Sequence, residues 1–179
     1  MKFKKKLLLL FCTMTFTLCF TACAQFADPI VNKKSRDFGI VVQYSLASSS
    51  SNKKGVNAST ESGKRIFGPS TLTQKNSGII SIDNGRYMSI PNWVRVTWRE
   101  GVDEENGLYW TTGKIVGNYK VDVLNRIPLD AFKLIESTPD TSLKLKFRIK
   151  NDGVLFGWSV EQHVIGGYKD IKRGGDFID

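Results

Sequence analysis

Cysteine and histidine are scarce in this chain of 179 residues, and their places in it exclude several kinds of chemistry. The three cysteines, Cys12, Cys19 and Cys23, all precede residue 24, and His163 is the single histidine. The chain beyond Cys23 therefore has no thiol for a disulfide, a metal site or a catalytic nucleophile. No G-x-S-x-G motif accompanies His163, so we interpret it as a surface residue and expect no enzyme activity, metal or cofactor.

Long apolar runs are also rare, since the only one covers residues 7–20 and follows a basic segment with four lysines. This arrangement is typical of a bacterial export signal, and the run is too short for a stable membrane span. Phe20-Thr21-Ala22-Cys23 resembles a lipoprotein cleavage site, with small residues directly before a cysteine. We predict that residues 1–22 are removed as a signal peptide and that Cys23 is lipidated.

The same residues leave two other outcomes open. Ala22-Cys23-Ala24 fits an A-x-A site, where cleavage after Ala24 would release a free periplasmic protein. The apolar run could also stay uncleaved as a short anchor. By resemblance to Gram-negative lipoproteins, Ala24 in place of aspartate favours the outer membrane. Acyl groups such as palmitate would then hold Cys23 at its periplasmic face, and residues 23–38 would form a polar tether.

The net charge of +9 overstates the basicity of the exported protein. Four of the 26 basic residues and none of the 17 acidic residues lie in the leader, which leaves 22 basic residues and a net charge of +5. This modest excess is compatible with an ordinary surface or with an acidic partner. Nucleic acid is not an expected partner for a protein outside the cytoplasm.

Alternating apolar and polar residues predict strands through most of residues 39–164, with one helix over 127–136. The sequence therefore predicts a single β-rich α+β domain, with six to eight antiparallel strands in a sheet or sandwich and one short helix. The serine-rich segment 48–64 predicts a long loop, and the glycine-rich segment 165–179 predicts a loose C-terminal tail.

The clearest pattern is a hairpin over residues 143–160, where Asp152-Gly153 predicts a two-residue turn. That turn would place Phe147 opposite Trp158 and Lys144 opposite Glu161. The row of cations Lys144, Lys146, Arg148 and Lys150 would then occupy an exposed face. Such a row either protects a sheet against aggregation or binds an acidic partner.

Candidate partner-binding residues come from three segments. An exposed tryptophan beside an arginine resembles an interface anchor, and an acidic turn offers a docking point for a basic groove. The cationic row offers positive charge to an acidic partner, and its Arg148 lies opposite the notch expected at Gly157. These candidates are Trp93 and Arg95, then Asp103, Glu104 and Glu105, and finally Lys146 and Arg148.

The segment 90–98 with its P-x-W and V-x-W motifs, the Ile127-Pro128 pair and the segment 153–158 carry a family resemblance. They resemble small uncharacterised lipoproteins of Gram-negative bacteria, similar to type VI secretion immunity lipoproteins encoded beside phospholipase effectors. The resemblance spans residues 39–160. It implies a periplasmic immunity protein that binds an incoming toxin at the membrane. The alternative is a structural or assembly lipoprotein of the cell envelope.

Overall fold

The computed structural model describes residues 37–76, 78–81, 88–100 and 113–178. A short 3-10 helix, Leu124–Arg126, and one α-helix, α1 (Leu129–Ser137), follow the eighth strand of this part of the chain. The strands are β1 (Asp37–Phe38), β2 (Ile40–Leu46), β3 (Lys53–Thr60), β4 (Arg65–Leu72), β5 (Gly78–Ser81), β6 (Met88–Ser89), β7 (Trp93–Glu100), β8 (Lys114–Asp122), β9 (Thr141–Ile149), β10 (Val154–Val164) and β11 (Gly167–Gly175).

The strands form two larger sheets and one small one. One sheet has five strands in the order β11-β10-β9-β2-β5, another has four in the order β4-β3-β7-β8, and β1 pairs with β6. All pairings are antiparallel except that of β2 with β9, which is parallel. One apolar core cluster takes residues from both larger sheets and from α1. The predicted β-rich α+β class, with two sheets packed as a sandwich, is confirmed.

Aromatic stacking joins the two larger sheets in the core. The ring of Tyr44 on β2 stacks on Phe67 of β4, with 3.9 Å between centroids, and on Phe147 of β9 at 5.1 Å. On the four-stranded sheet Trp98 stacks on Tyr119 and lies over Gly117, where a Cβ atom would come within 2.0 Å of the indole. Contacts this close exclude any larger residue at position 117 without a shift of the ring.

The predicted hairpin register is wrong by two residues. Ile149 pairs with Val154, and the N–H of Lys150 donates to the carbonyl of Gly153, so the turn residues are Asn151 and Asp152. A shift of two leaves every side chain on its original face, so the apolar pattern cannot distinguish the two registers. The Asn151 side chain accepts hydrogen bonds from Lys53 and Ser51, which are far away in the sequence.

Segment 48–64, predicted as a loop, contains β3, a central strand of the four-stranded sheet. Its buried apolar residues are only Val56 and Ala58, while polar residues occupy most other positions. So few apolar residues give too weak a pattern to predict a strand. The strand forms because its neighbours β4 and β7 provide backbone hydrogen bonds on both sides. The prediction of a long loop was therefore wrong.

The predicted loose tail, 165–179, is also wrong, because β11 pairs with β10 over most of its length. Its glycines have a packing reason. A Cβ atom at Gly174 would meet the Trp158 ring at 2.8 Å, and Gly175 has a φ of 112° with the Phe156 carbonyl close by. Glycine here permits close approach to a neighbouring strand. From composition alone, such glycines are indistinguishable from those of a flexible segment.

Candidate partner-binding surface

Strand β7 places Trp93 and Arg95 on the outer face of the four-stranded sheet. The strand alternates regularly, so that Val94, Val96 and Trp98 are buried in the core. Trp93 is half-buried and Arg95 is exposed. The sequence prediction that these two residues share a solvent-facing side of the strand agrees with this arrangement.

The Trp93 ring lies among cations. The Lys120 ammonium group is 4.9 Å from the ring centroid, and the Arg95 guanidinium carbon is 5.8 Å from it. Both distances suit cation–π attraction, which favours this position of the indole at the surface. Lys120 belongs to β8 and was not among the residues predicted from the sequence.

Cross-strand pairing extends these cations into a row. Arg65 of β4 pairs with Ser59 of β3, Ser59 pairs with Arg95 of β7, and Arg95 pairs with Lys120 of β8. Paired residues share a face of the sheet, and neighbouring strands lie about 4.8 Å apart. The backbone positions of Arg65 and Lys120 are therefore about 14 Å apart. We call the cations Arg65, Arg95 and Lys120 the basic ladder.

Within the described ranges no carboxylate forms an ion pair with the basic ladder. Arg95 donates to the Asn118 side-chain oxygen at 3.0 Å, a neutral partner. The Glu61 carboxylate nearby accepts from the backbone N–H of Asn92 at 3.0 Å. Arg65, Arg95 and Lys120 are all exposed, so their charge is available to a ligand. The ladder with Trp93 at its side combines an aromatic ring with exposed positive charge.

Lys146 and Arg148 lie on the other larger sheet, so the predicted candidates do not form one surface. Lys146 is buried, with 7 % of its surface exposed, and its ammonium group is 3.4 Å from the Asp170 carboxylate. Lys144 forms an ion pair with Glu161, which is also buried. The prediction that this row is exposed is wrong because β11 places Asp170 beside it. Burial of Lys146 with a charged partner is compatible with a structural role.

Arg148 takes part in a contact that the sequence did not predict. Its guanidinium carbon is 4.0 Å from the ring centroid of Phe177, and that ring occupies the notch at Gly157. The neighbouring Asp176 carboxylate accepts from the backbone N–H of Phe156 at 2.9 Å and forms an ion pair with Arg126. We call Arg126, Arg148, Asp176 and Phe177 the C-terminal clasp. The notch at Gly157 was predicted, but its occupant was not.

The electrostatics of Asp176 follow from these contacts. Burial by itself raises the pKa of the carboxyl group, but hydrogen bonds from Arg126 and from the Phe156 N–H outweigh it, so the pKa is lowered. In the core, burial raises the pKa of the Tyr44 hydroxyl well above its ordinary value. Burial lowers the pKa of Lys53, and the negative charge of Glu100 partly opposes that effect.

His163 lies near the end of β10, where its side chain is exposed. Its ring packs edge-on against Tyr168 with 5.3 Å between centroids, and its backbone N–H donates to the Asp140 carbonyl. Among the described residues no three His, Cys, Asp or Glu side chains come together to hold a metal ion. A shallow cavity of about 180 Å³ lies beside this strand, lined by residues that include Gly39, Asp140 and Tyr168.

Cys23 and the acidic turn Asp103, Glu104 and Glu105 lie outside the described residues. In the part of the chain that is described, no helix is long and apolar enough to cross a membrane. The comparisons with known proteins found no matching family model, no matching curated protein and no matching solved structure.

Proposed function

We propose that this protein is a lipoprotein anchored by Cys23 at the periplasmic face of the outer membrane, where it acts by binding a protein partner rather than by catalysis. Its surface for the partner is the basic ladder with Trp93. The partner presents an acidic patch, and an immunity role against a type VI secretion phospholipase toxin is the specific form of the proposal. The exposed cations Arg95 and Lys120 beside the Trp93 ring are the observation that carries it.

The chemistry of the surface supports protein binding. Tryptophan and arginine are enriched among the residues that dominate binding energy at protein interfaces. The Trp93 ring already contacts Arg95 and Lys120 in the free protein, which reduces the side-chain entropy that it loses on association. The positive ladder would also speed the approach of an acidic partner, and salt would reduce that effect.

The test is a survival assay with attacking cells that deliver a type VI phospholipase effector. A strain without this protein should die, and the wild-type gene should restore survival. The Arg95→Glu and Lys120→Glu double variant should fail to restore it. A matched control reverses two exposed cations away from the ladder, Lys75→Glu and Lys133→Glu, and should restore survival with the same change in net charge.

Three results bear on the proposal in different ways. Attackers without the phospholipase should leave the unprotected strain unharmed. Equal survival with the ladder variant and the control variant would exclude the ladder as the binding surface. A permeability defect in the deletion strain, regardless of any attacker, would instead favour an assembly role in the envelope and contradict the immunity role.

Lipid attachment has its own test. Wild-type cells fed an alkyne-bearing fatty acid should yield a labelled protein, and Cys23→Ala should abolish the label. The variant protein should then leave the membrane fraction and be recovered from the periplasm. A label that survives the substitution would exclude Cys23 as the lipidated residue.

A further inference from the structure

The tip of the β10–β11 hairpin, Val164–Tyr168, carries exposed apolar side chains. Ile165 is fully exposed, at 107 % of its reference surface, and Tyr168 is 67 % exposed. Val164 adds a third exposed apolar side chain at 37 %. Exposed apolar residues that cluster at one projecting tip, rather than being scattered, indicate a surface with a partner of its own.

The tip extends past the sheet. Pairing of β10 with β9 ends at Gln162, whereas pairing of β10 with β11 continues to Val164 opposite Gly167. Gly166 follows Ile165 with a φ of 91°, which permits a tight turn and leaves Ile165 at the corner. On the β9 side, no residue of that strand pairs with β10 beyond Gln162, so the tip of the hairpin continues past the end of β9.

The tip is also held in place. The His163 ring packs against Tyr168, and the backbone N–H of His163 donates to the Asp140 carbonyl at 2.9 Å. Asp140 itself has a φ of 55° in the left-handed region, which aspartate adopts more readily than most residues do. The hairpin therefore presents its apolar end without first having to fold.

The chain enters the fold at this same end. Gly39, which follows β1 directly, lines the same cavity as Tyr168, and its carbonyl accepts from the N–H of Leu143. Thirteen residues, 24–36, separate Cys23 from Asp37, and a chain of that length reaches at most about 50 Å. A lipid on Cys23 would therefore keep the start of β1, at the same end of the domain as the hairpin tip, within about 50 Å of the membrane.

We infer that the hairpin tip Val164–Tyr168 inserts into the interfacial region of the lipid bilayer, as a second membrane contact beside the lipidated cysteine. The inference rests on the lipid attachment in the proposed function. Tyrosine favours the boundary between headgroups and acyl chains, and isoleucine and valine favour the apolar side of that boundary. The exposed Lys169 next to Tyr168 would face anionic headgroups.

The absence of other thiols makes a sharp experiment possible. The exported full chain with Ile165→Cys has one free thiol when Cys23 carries lipid, and this thiol takes an environment-sensitive fluorophore. The labelled protein is reconstituted in vesicles of phosphatidylethanolamine and phosphatidylglycerol. Emission should shift to the blue, and spin-labelled lipids should quench it. The matched control is Ile178→Cys, at an isoleucine that is 63 % exposed outside the hairpin, and it should show neither change.

Each outcome has a separate meaning. Adding Val164→Asp and Tyr168→Ser to the labelled chain should remove the quenching, since both substitutions make insertion unfavourable. Equal emission and quenching at positions 165 and 178 would overturn the inference and leave lipid attachment intact. Two fluorophores per chain in the mass spectrum would instead show that Cys23 is free, which contradicts the anchor. Protection of the position 165 fluorophore by an added protein, without lipid quenching, would favour a protein cleft and overturn the membrane contact.

Discussion

The guanidinium carbon of Arg148 lies 4.0 Å from the ring centroid of Phe177, so the end of the chain packs against the middle of the five-stranded sheet. The ring fits because position 157 is glycine, and a Cβ atom there would come within 3.3 Å of it. The backbone N–H of Asp176 donates to the Phe156 carbonyl, which extends the contact. These interactions hold the C-terminal residues to β10.

Phe177→Ala should therefore destabilise the protein by about 1–3 kcal/mol, because it leaves the notch at Gly157 empty and removes the cation–π contact. Urea unfolding measures the loss, and hydrogen exchange at β11 should become faster. Ile178→Ala is the control, and its expected effect is within about 0.5 kcal/mol since that side chain is mostly exposed. Equal effects of both substitutions would contradict the clasp.

Asp176→Asn should reveal a pH-dependent part of the stability. The folded-state pKa of Asp176 lies below its unfolded value, so ionised Asp176 stabilises the fold fully above the unfolded pKa of about 4. That contribution is lost as the pH falls through the lower, folded pKa. Both partners of the ion pair are about a third exposed, so we expect only about 1 kcal/mol near neutral pH.

The measurement is the difference in unfolding free energy between wild type and Asp176→Asn from pH 7 down to pH 3. The difference should be constant near neutral pH and should shrink only in the acidic part of this range. A difference that stays the same at every pH would show that the charge of Asp176 contributes nothing.

Gly117→Ala should cost several kcal/mol, because the added Cβ would come within 2.0 Å of the Trp98 indole and the ring cannot move without disturbing Tyr119. Thermal unfolding and near-ultraviolet circular dichroism of the tryptophans would detect the change. Gly39→Ala is the matched control, since its nearest neighbour, the Ser142 Cβ, would be at an ordinary 3.8 Å. A neutral Gly117→Ala would contradict the packing of this sheet.

Tyr44→Phe should leave stability unchanged or raise it by up to about 1 kcal/mol. The Tyr44 hydroxyl is buried and has no hydrogen-bond partner among the described residues. Burying it without a hydrogen bond costs free energy of folding, and phenylalanine avoids that cost. The ring contacts with Phe67 and Phe147 are retained in the variant. Loss of more than about 1 kcal/mol in urea unfolding would mean that the hydroxyl has a partner that stabilises it.

Much of the sheet architecture could be predicted because burial on one side of a strand imposes a period of two on the sequence. The alternation in β2, β7, β9 and β10 was strong enough to indicate which face of each strand is buried. Strand β3 was missed because its core side is small and its outer side polar, and β11 was missed because its glycines serve packing against Trp158.

The candidate surface was only half predictable. Trp93 and Arg95 were identified from one strand, where their common face follows from local geometry. Arg65 and Lys120 belong to other strands, and only the register of β3, β7 and β8 brings them beside Arg95. Lys146 was assigned to solvent because the sequence gives no indication that β11 lies next to β10 and brings Asp170 close.

The sequence by itself determined the β-rich class and the buried face of most strands, since both depend on local alternation of polarity. From residues 1–23 we also predict an export signal and lipidation of Cys23, and the structure does not describe these residues. Only the tertiary structure decided which cations share a surface, which one is buried with a carboxylate, and where the C-terminal residues pack. These properties depend on hydrogen bonding between strands far apart in the chain, and a period of two contains no information about which strands become neighbours.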